Sequence, residues 1–307
     1  MSKSVLLKSS LAKKYWMALT GLFLCLFLVG HLLGNLQLFM SGEEGKRAFN
    51  EYAYFMQHNP FIKILSYLTY ASIIFHAIDG YLLAVQNKKA RPVGYAANKP
   101  SANSSAASRN MAVLGTVILV FIVTHMANFW AKMHFDKMPL HSMTKTVEVP
   151  VGQDPMTGEV IKKPIEITYY LTTKGEYKEQ VYKDPSSGQK QEVFDVKDET
   201  FFIDKNSGLK LGEGYKDLHS LTYAFFGQDR SEVGYKANEY ALIAVIAYVI
   251  SMLVLAFHLS HGFASAFQSL GLRHPAYTRL IKGFGQAFSI VIPLAFAAIP
   301  VYIYLTK

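Results

Sequence analysis

Five stretches of this chain are apolar for longer than a globular interior requires, and they limit what the remainder can be. Crossing a bilayer takes about 20 mostly apolar residues at a rise of about 1.5 Å each. Residues 15–40, 61–86, 111–131, 240–267 and 284–305 all meet that length. The expected fold class is therefore all-α transmembrane, a five-helix bundle. The first run is too long for a cleaved signal peptide and lacks a small-residue cleavage site.

The net charge of +9 raises nucleic acid as a partner, but its placement argues against that. Lys3, Lys8, Lys13 and Lys14 precede the first run. Lys88, Lys89, Arg91, Lys99 and Arg109 follow the second, and Arg273, Arg279 and Lys282 follow the fourth. None of these groups contains an acid. Basic residues at alternate helix ends follow the positive-inside rule, with the N-terminus cytoplasmic and the C-terminus outside. No nucleic-acid partner is needed. The expected location is the cytoplasmic (inner) membrane of a cell, with lipid around the bundle. The lone cysteine, Cys25, lies inside the first run, which excludes a disulfide framework and a cysteine metal cluster.

The chain divides into 1–132, holding three spans, 133–238, and 239–307, holding two more. The segment 41–60 reads as a short outer loop with Glu43, Glu44 and Glu51 against Lys46 and Arg47. The 87–110 connection is rich in Ser, Ala and Asn and reads as a partly flexible inner loop. The 133–238 segment is polar and nearly charge-balanced. It repeats a turn signal at Asp154 to Gly158, Asp184 to Gly188 and Asp204 to Gly208. Aspartate opens such turns by a side-chain hydrogen bond and glycine supplies the positive φ that closes them. Alternating stretches such as 165–171 lie between, so a small β-rich extracytoplasmic insertion is expected; a partly disordered loop is the alternative.

Ionisable residues inside a membrane are costly and point to function. His31, His76, His125 and both His258 and His261 lie inside four of the five runs. His31 and His125 fall about 24 Å and 21 Å from the inner ends of outward-running helices. His76 and His258 fall about 22 Å and 27 Å from the outer ends of inward-running ones. The histidines therefore form two layers, His31 with His125 and His76 with His258. Two pairs at two depths suit two six-coordinate b haems, each with an imidazole on both faces of its iron and no open site for oxygen. Gly30, Gly34, Gly80 and Gly262 near these positions offer room for a porphyrin, although small residues also serve ordinary helix packing. His258 and His261 share a helix face, so either is a candidate ligand. Asp79 offers a second role beside His76. His58, His134, His141, His219 and His274 lie at span ends or in loops and read as solvated surface side chains.

Several local patterns then agree with one family. They are Trp16 with Thr20-Gly21, Gly30-His31-Leu-Leu-Gly34-Asn35, Arg47-Ala-Phe-Asn50, Asn59-Pro60-Phe61, Phe75-His76-Ala77, Thr124-His125 and Phe257-His258-Leu-Ser-His261-Gly262 with Gly271. Over most of 10–132 and 239–305 the chain resembles the di-haem cytochrome b membrane anchor of succinate dehydrogenases and fumarate reductases, the b558 type. The resemblance implies two haem b groups, with His31 and His125 on the distal iron and His76 and His258 on the proximal one. The glycines at 262 and 271 favour His258 over His261 in that comparison. It further implies an iron–sulfur subunit, a flavoprotein subunit, a membrane quinone (menaquinone) and a dimer of such complexes. Such an anchor is not catalytic alone. Glu51 is the carboxylate nearest the family's quinone region and is the candidate proton group there. The 133–238 insertion has no counterpart in the smaller family members. The rival reading is a histidine-bearing transporter or proton-translocating protein without haem, but only Pro293 and Pro300 break a span, and that span has no histidine.

Overall fold

The structure, a computed structural model, describes residues 10–90, 105–153, 156–183 and 190–307. Lys3, Lys8, Arg91, Lys99, Asp154 and the 184–188 turn lie outside these residues.

Helix α1 (Ser10–Asn35) continues into a 3-10 turn at Leu36–Phe39. Helix α2 (Gly42–His58) follows, where a loop is expected from the sequence. Glu44 faces outward while Gly45, Phe49 and Asn50 are buried and Glu43 and Lys46 turn toward the insertion, so a surface helix with one inward stripe occupies the interval. Helix α3 (Pro60–Lys89) begins where the Asn59 side chain accepts from the amides of Phe61 (2.9 Å) and Ile62 (3.2 Å), with proline at the first helical position. A short α4 (Ala106–Arg109) precedes α5 (Met111–Asn128) and α6 (Trp130–Phe135).

The last two spans are α8 (Ala241–Ser269) and α9 (Pro275–Leu305). Between them Gly271 adopts φ +77°. The Gly271 amide donates to Gln268 and that of Leu272 to Phe267, the paired bonds that close a helix on a left-handed residue. Helix α9 starts nine residues before the apolar run, because Pro275 and the His274 side chain initiate it within polar sequence. Among the described residues, five helices are thus long and apolar enough to cross a membrane. Leu26, Leu33, Phe75, Val120, Leu253, Ile290 and Leu294 are exposed on them, as expected where hydrocarbon is the solvent.

The insertion carries two antiparallel sheets and a helix. Strands β1 (Ser142–Gln153), β2 (Val160–Leu171), β3 (Tyr177–Lys183) and β4 (Lys190–Glu192) pair in sequence order. Strands β5 (Phe194–Lys197), β6 (Phe201–Asp204) and β7 (Lys210–Glu213) form the second sheet. The alternation in 165–171 is real, since Ile165, Ile167 and Leu171 are all buried. The 204–208 turn has the expected chemistry: Asp204 accepts from the amides of Asn206 and Ser207, and Gly208 has φ +69°. Helix α7 (Leu218–Phe225) then returns to the bundle.

A buried polar seam joins α2 to this insertion. Asn50 donates to Asp217 (2.9 Å) and to His141 Nδ1 (3.1 Å), and its carbonyl accepts the His219 amide (2.9 Å). Glu43 accepts from His141 Nε2 and from the Tyr177 hydroxyl (2.9 Å). His141 and His219 are therefore not solvated surface side chains, as the sequence reading has them, but are buried at the seam. His58, His134 and His274 are exposed as expected.

Candidate functional site

The spans do not close on one another. A cavity of about 2040 Å³ runs between α1, α3, α5 and α8. That is at least twice the usual upper size of a small-molecule pocket. Ordinary packing leaves few voids larger than a water. Consistent with this, α5 contributes no buried residue although it is almost wholly apolar.

The histidines line this space in pairs. In the layer near the insertion, His31 of α1 faces His125 of α5 with ring centroids 5.9 Å apart. In the far layer, His76 of α3 faces His258 of α8 at 6.2 Å. These are the pairs given by depth along the helices. His261 also reaches the cavity wall, but His258 is the residue that faces His76. Asp79 lies one turn further along α3. Glu51 is absent from the cavity lining; its carboxylate takes the Arg47 guanidinium at 2.8 Å on α2.

Neighbouring groups set the rings. His31 stacks on Phe27 at 5.3 Å and meets Phe296 at 5.6 Å. His76 Nδ1 lies 3.2 Å from the Thr20 hydroxyl, and His125 Nδ1 lies 3.2 Å from the Tyr248 hydroxyl. His258 Nδ1 is buried with no hydrogen-bond partner among the described residues.

Comparison with family models, with curated proteins and with solved structures finds no match to this chain. The chemistry of the site must be argued from its own residues.

Two imidazoles on opposite faces of one metal, with metal–nitrogen bonds of about 2.0–2.1 Å and each centroid about 1.1 Å behind its nitrogen, place their centroids roughly 6.3 Å apart. Both observed spacings are close to that value. Among the described residues no group of three or more metal-ligating side chains converges. A pair alone serves a bare ion poorly, but it completes a metal that brings its own equatorial ligands. The apolar walls and the volume fit a porphyrin at each pair.

Of the four glycines singled out in the sequence, Gly80 and Gly262 line the cavity. A Cβ at Gly30 would meet nothing within 4 Å, and one at Gly34 would strike the Tyr52 ring. The glycines that give the histidines space are Gly21, whose Cβ would lie 3.1 Å from His76 Cε1, and Gly115, 3.7 Å from His258 Cε1. Tyr248 was also missed. A depth signal for it exists, since it precedes His258 by about 15 Å of helix, the step from the far layer to the near one.

Proposed function

We propose that this chain is the membrane-anchor cytochrome b subunit of a succinate:quinone oxidoreductase, holding two b haems and carrying electrons between an iron–sulfur partner and membrane quinone. One observation carries the reading: two histidine pairs face each other at trans-ligation spacing inside one apolar cavity. A haem held by each pair would supply one-electron redox chemistry.

The chain's own part is to hold and isolate. His31 with His125, and His76 with His258, would hold the two haems. Thr20 and Tyr248 orient two of the four rings, and the apolar walls keep water from them. The described basic side chains Lys13, Lys14, Lys88, Lys89, Arg109, Arg273, Arg279 and Lys282 flank the helix ends opposite the insertion. This supports a cytoplasmic N-terminus, with the iron–sulfur and flavoprotein subunits docked at that face, and the insertion and C-terminus on the other side of the cytoplasmic membrane.

The test is a pyridine haemochrome assay and a reduced-minus-oxidised spectrum of the purified chain. Two b haems per chain are expected. Absence of b-type bands would leave a haem-free transporter or proton-translocating protein as the better reading, and one haem per chain would remove one layer.

A further inference from the structure

The two histidine layers differ in how their rings are held. The Thr20 hydroxyl has a single hydrogen, and the Trp16 carbonyl lies 2.7 Å away to receive it. Its oxygen, 3.2 Å from His76 Nδ1, therefore accepts the Nδ1 hydrogen. That bond selects the tautomer whose Nε2 keeps its lone pair. In the near layer the corresponding atom is the phenol oxygen of Tyr248, 3.2 Å from His125 Nδ1. Tyr248 is packed edge-to-face against Phe121 at 4.9 Å and Phe226 at 5.1 Å, and it meets Phe225 at 5.9 Å. Phe225 and Phe226 belong to the insertion, at the end of α7.

We propose that Tyr248 is the positioning residue of the near layer: where His125 holds iron through Nε2, its Nδ1 carries the hydrogen and the Tyr248 oxygen, 3.2 Å away, accepts it. The insertion tunes this layer through the contacts of Phe225 and Phe226 with the phenol ring. The inference rests on the haem reading above. Donation from Nδ1 makes Nε2 a stronger base toward a metal, which favours the oxidised iron and lowers the potential of that site. Thr20 touches one layer and Tyr248 the other, so the chain sets the two potentials separately. It also gives the insertion a role in the site: its aromatic pair sits one residue removed from an axial histidine.

The experiment is a potentiometric titration of the b bands in the whole complex, with haem content measured in parallel, for Tyr248→Phe, Thr20→Val and Phe226→Leu. Tyr248→Phe and Thr20→Val are near-isosteric and should retain both haems. Each should raise the midpoint potential of one component, and the two components should differ. Phe226→Leu, with Phe225→Leu as a second variant, should move the same component as Tyr248→Phe. Unchanged potentials in Tyr248→Phe, or a shift in the component that Thr20→Val moves, would overturn the proposal. If neither Phe225→Leu nor Phe226→Leu shifts that component, the insertion's share is overturned. A wild-type chain free of haem is a different result, and it would remove the haem reading itself.

Discussion

Lys46 Nζ and Asp217 Oδ2 lie 3.0 Å apart at the seam between α2 and the insertion, with the carboxylate fully buried. Burial alone would raise the Asp217 pKa. Lys46, the Ser220 amide and Asn50 outweigh it and hold the carboxyl below its usual range. A depressed carboxyl stabilises the fold above its ordinary value near 3.8 and loses that contribution as pH falls through the folded value. Asp217→Asn should destabilise the chain by about 3–5 kcal/mol, because it leaves Lys46 charged and unpaired in a buried site. Thermal unfolding in detergent reads this, and Lys46→Met combined with Asp217→Asn, which keeps an oxygen for the Ser220 amide, should recover most of the loss. Equal stability of Asp217→Asn and wild type would show that the seam does not hold the insertion.

His219 gives a second pH dependence, in a higher window. Burial pushes its pKa down from 6.5 to about 4, against the opposing pull of Asp217. Both ring nitrogens lack hydrogen-bond partners among the described residues, and the ring stacks on Tyr223 at 4.2 Å. A histidine kept neutral by the fold binds fewer protons than in the unfolded chain. Its stability contribution is therefore full above pH 6.5 and is lost as pH falls toward about 4. At about 1.4 kcal/mol per pKa unit the loss is roughly 3 kcal/mol. Melting temperatures from pH 7 to 4 should show the decline, and His219→Phe should flatten it.

His258→Ala should lose the haem of the far layer, while His261→Ala should keep both, because His258 is the ring that faces His76. Haem content and the b-band spectrum distinguish the two. Loss confined to the His261 variant would reverse the assignment.

Gly21→Leu should exclude haem from the far layer by driving a side chain into the space of the His76 ring. Gly115→Ala has room at 3.7 Å and should retain both haems. Full haem content in Gly21→Leu would mean that the ring has space to retreat.

Glu51→Gln should leave haem spectra and quinone reactivity unchanged, since the carboxylate pairs with Arg47 and lies off the cavity. Its cost in stability should stay under about 1 kcal/mol, as for other exposed pairs. Impaired quinone turnover with intact spectra would instead restore Glu51 as the proton group.

The spans and the histidine pairing were legible because both follow from one period and one rise. A side chain's depth is fixed by its distance from a helix end, and His31, His76, His125 and His258 needed nothing more. What escaped the sequence depends on contacts between distant residues. Asn50 meets Asp217, and Glu43 meets His141, only after the insertion folds back on α2. His141 and His219 therefore carry no local sign of burial. Helix α2 was hidden by its charges, which mark a surface but do not distinguish a surface helix from a loop. The glycines were only partly legible, because adjacency in sequence is not adjacency across a cavity: Gly80 and Gly262 line it, but Gly34 opposes Tyr52, and it is Gly21 that opposes a histidine from another helix.

The side-chain amide of Gln228 donates to the Ile303 carbonyl at 2.9 Å and to the Thr306 hydroxyl at 3.1 Å, meeting one of the carbonyls that the last turn of α9 leaves without an intrahelical donor. Tyr223, just before it, is tied to Leu38 at the end of the first span. The insertion is synthesised before α8 and α9, yet part of its resting place is built from α9. During biogenesis it must wait for the final helix to enter the bilayer before it can seat. Any fault that delays that helix would leave an aromatic-rich segment unsheltered and open to proteolysis, and pulse-chase sensitivity to an added protease would time the closure.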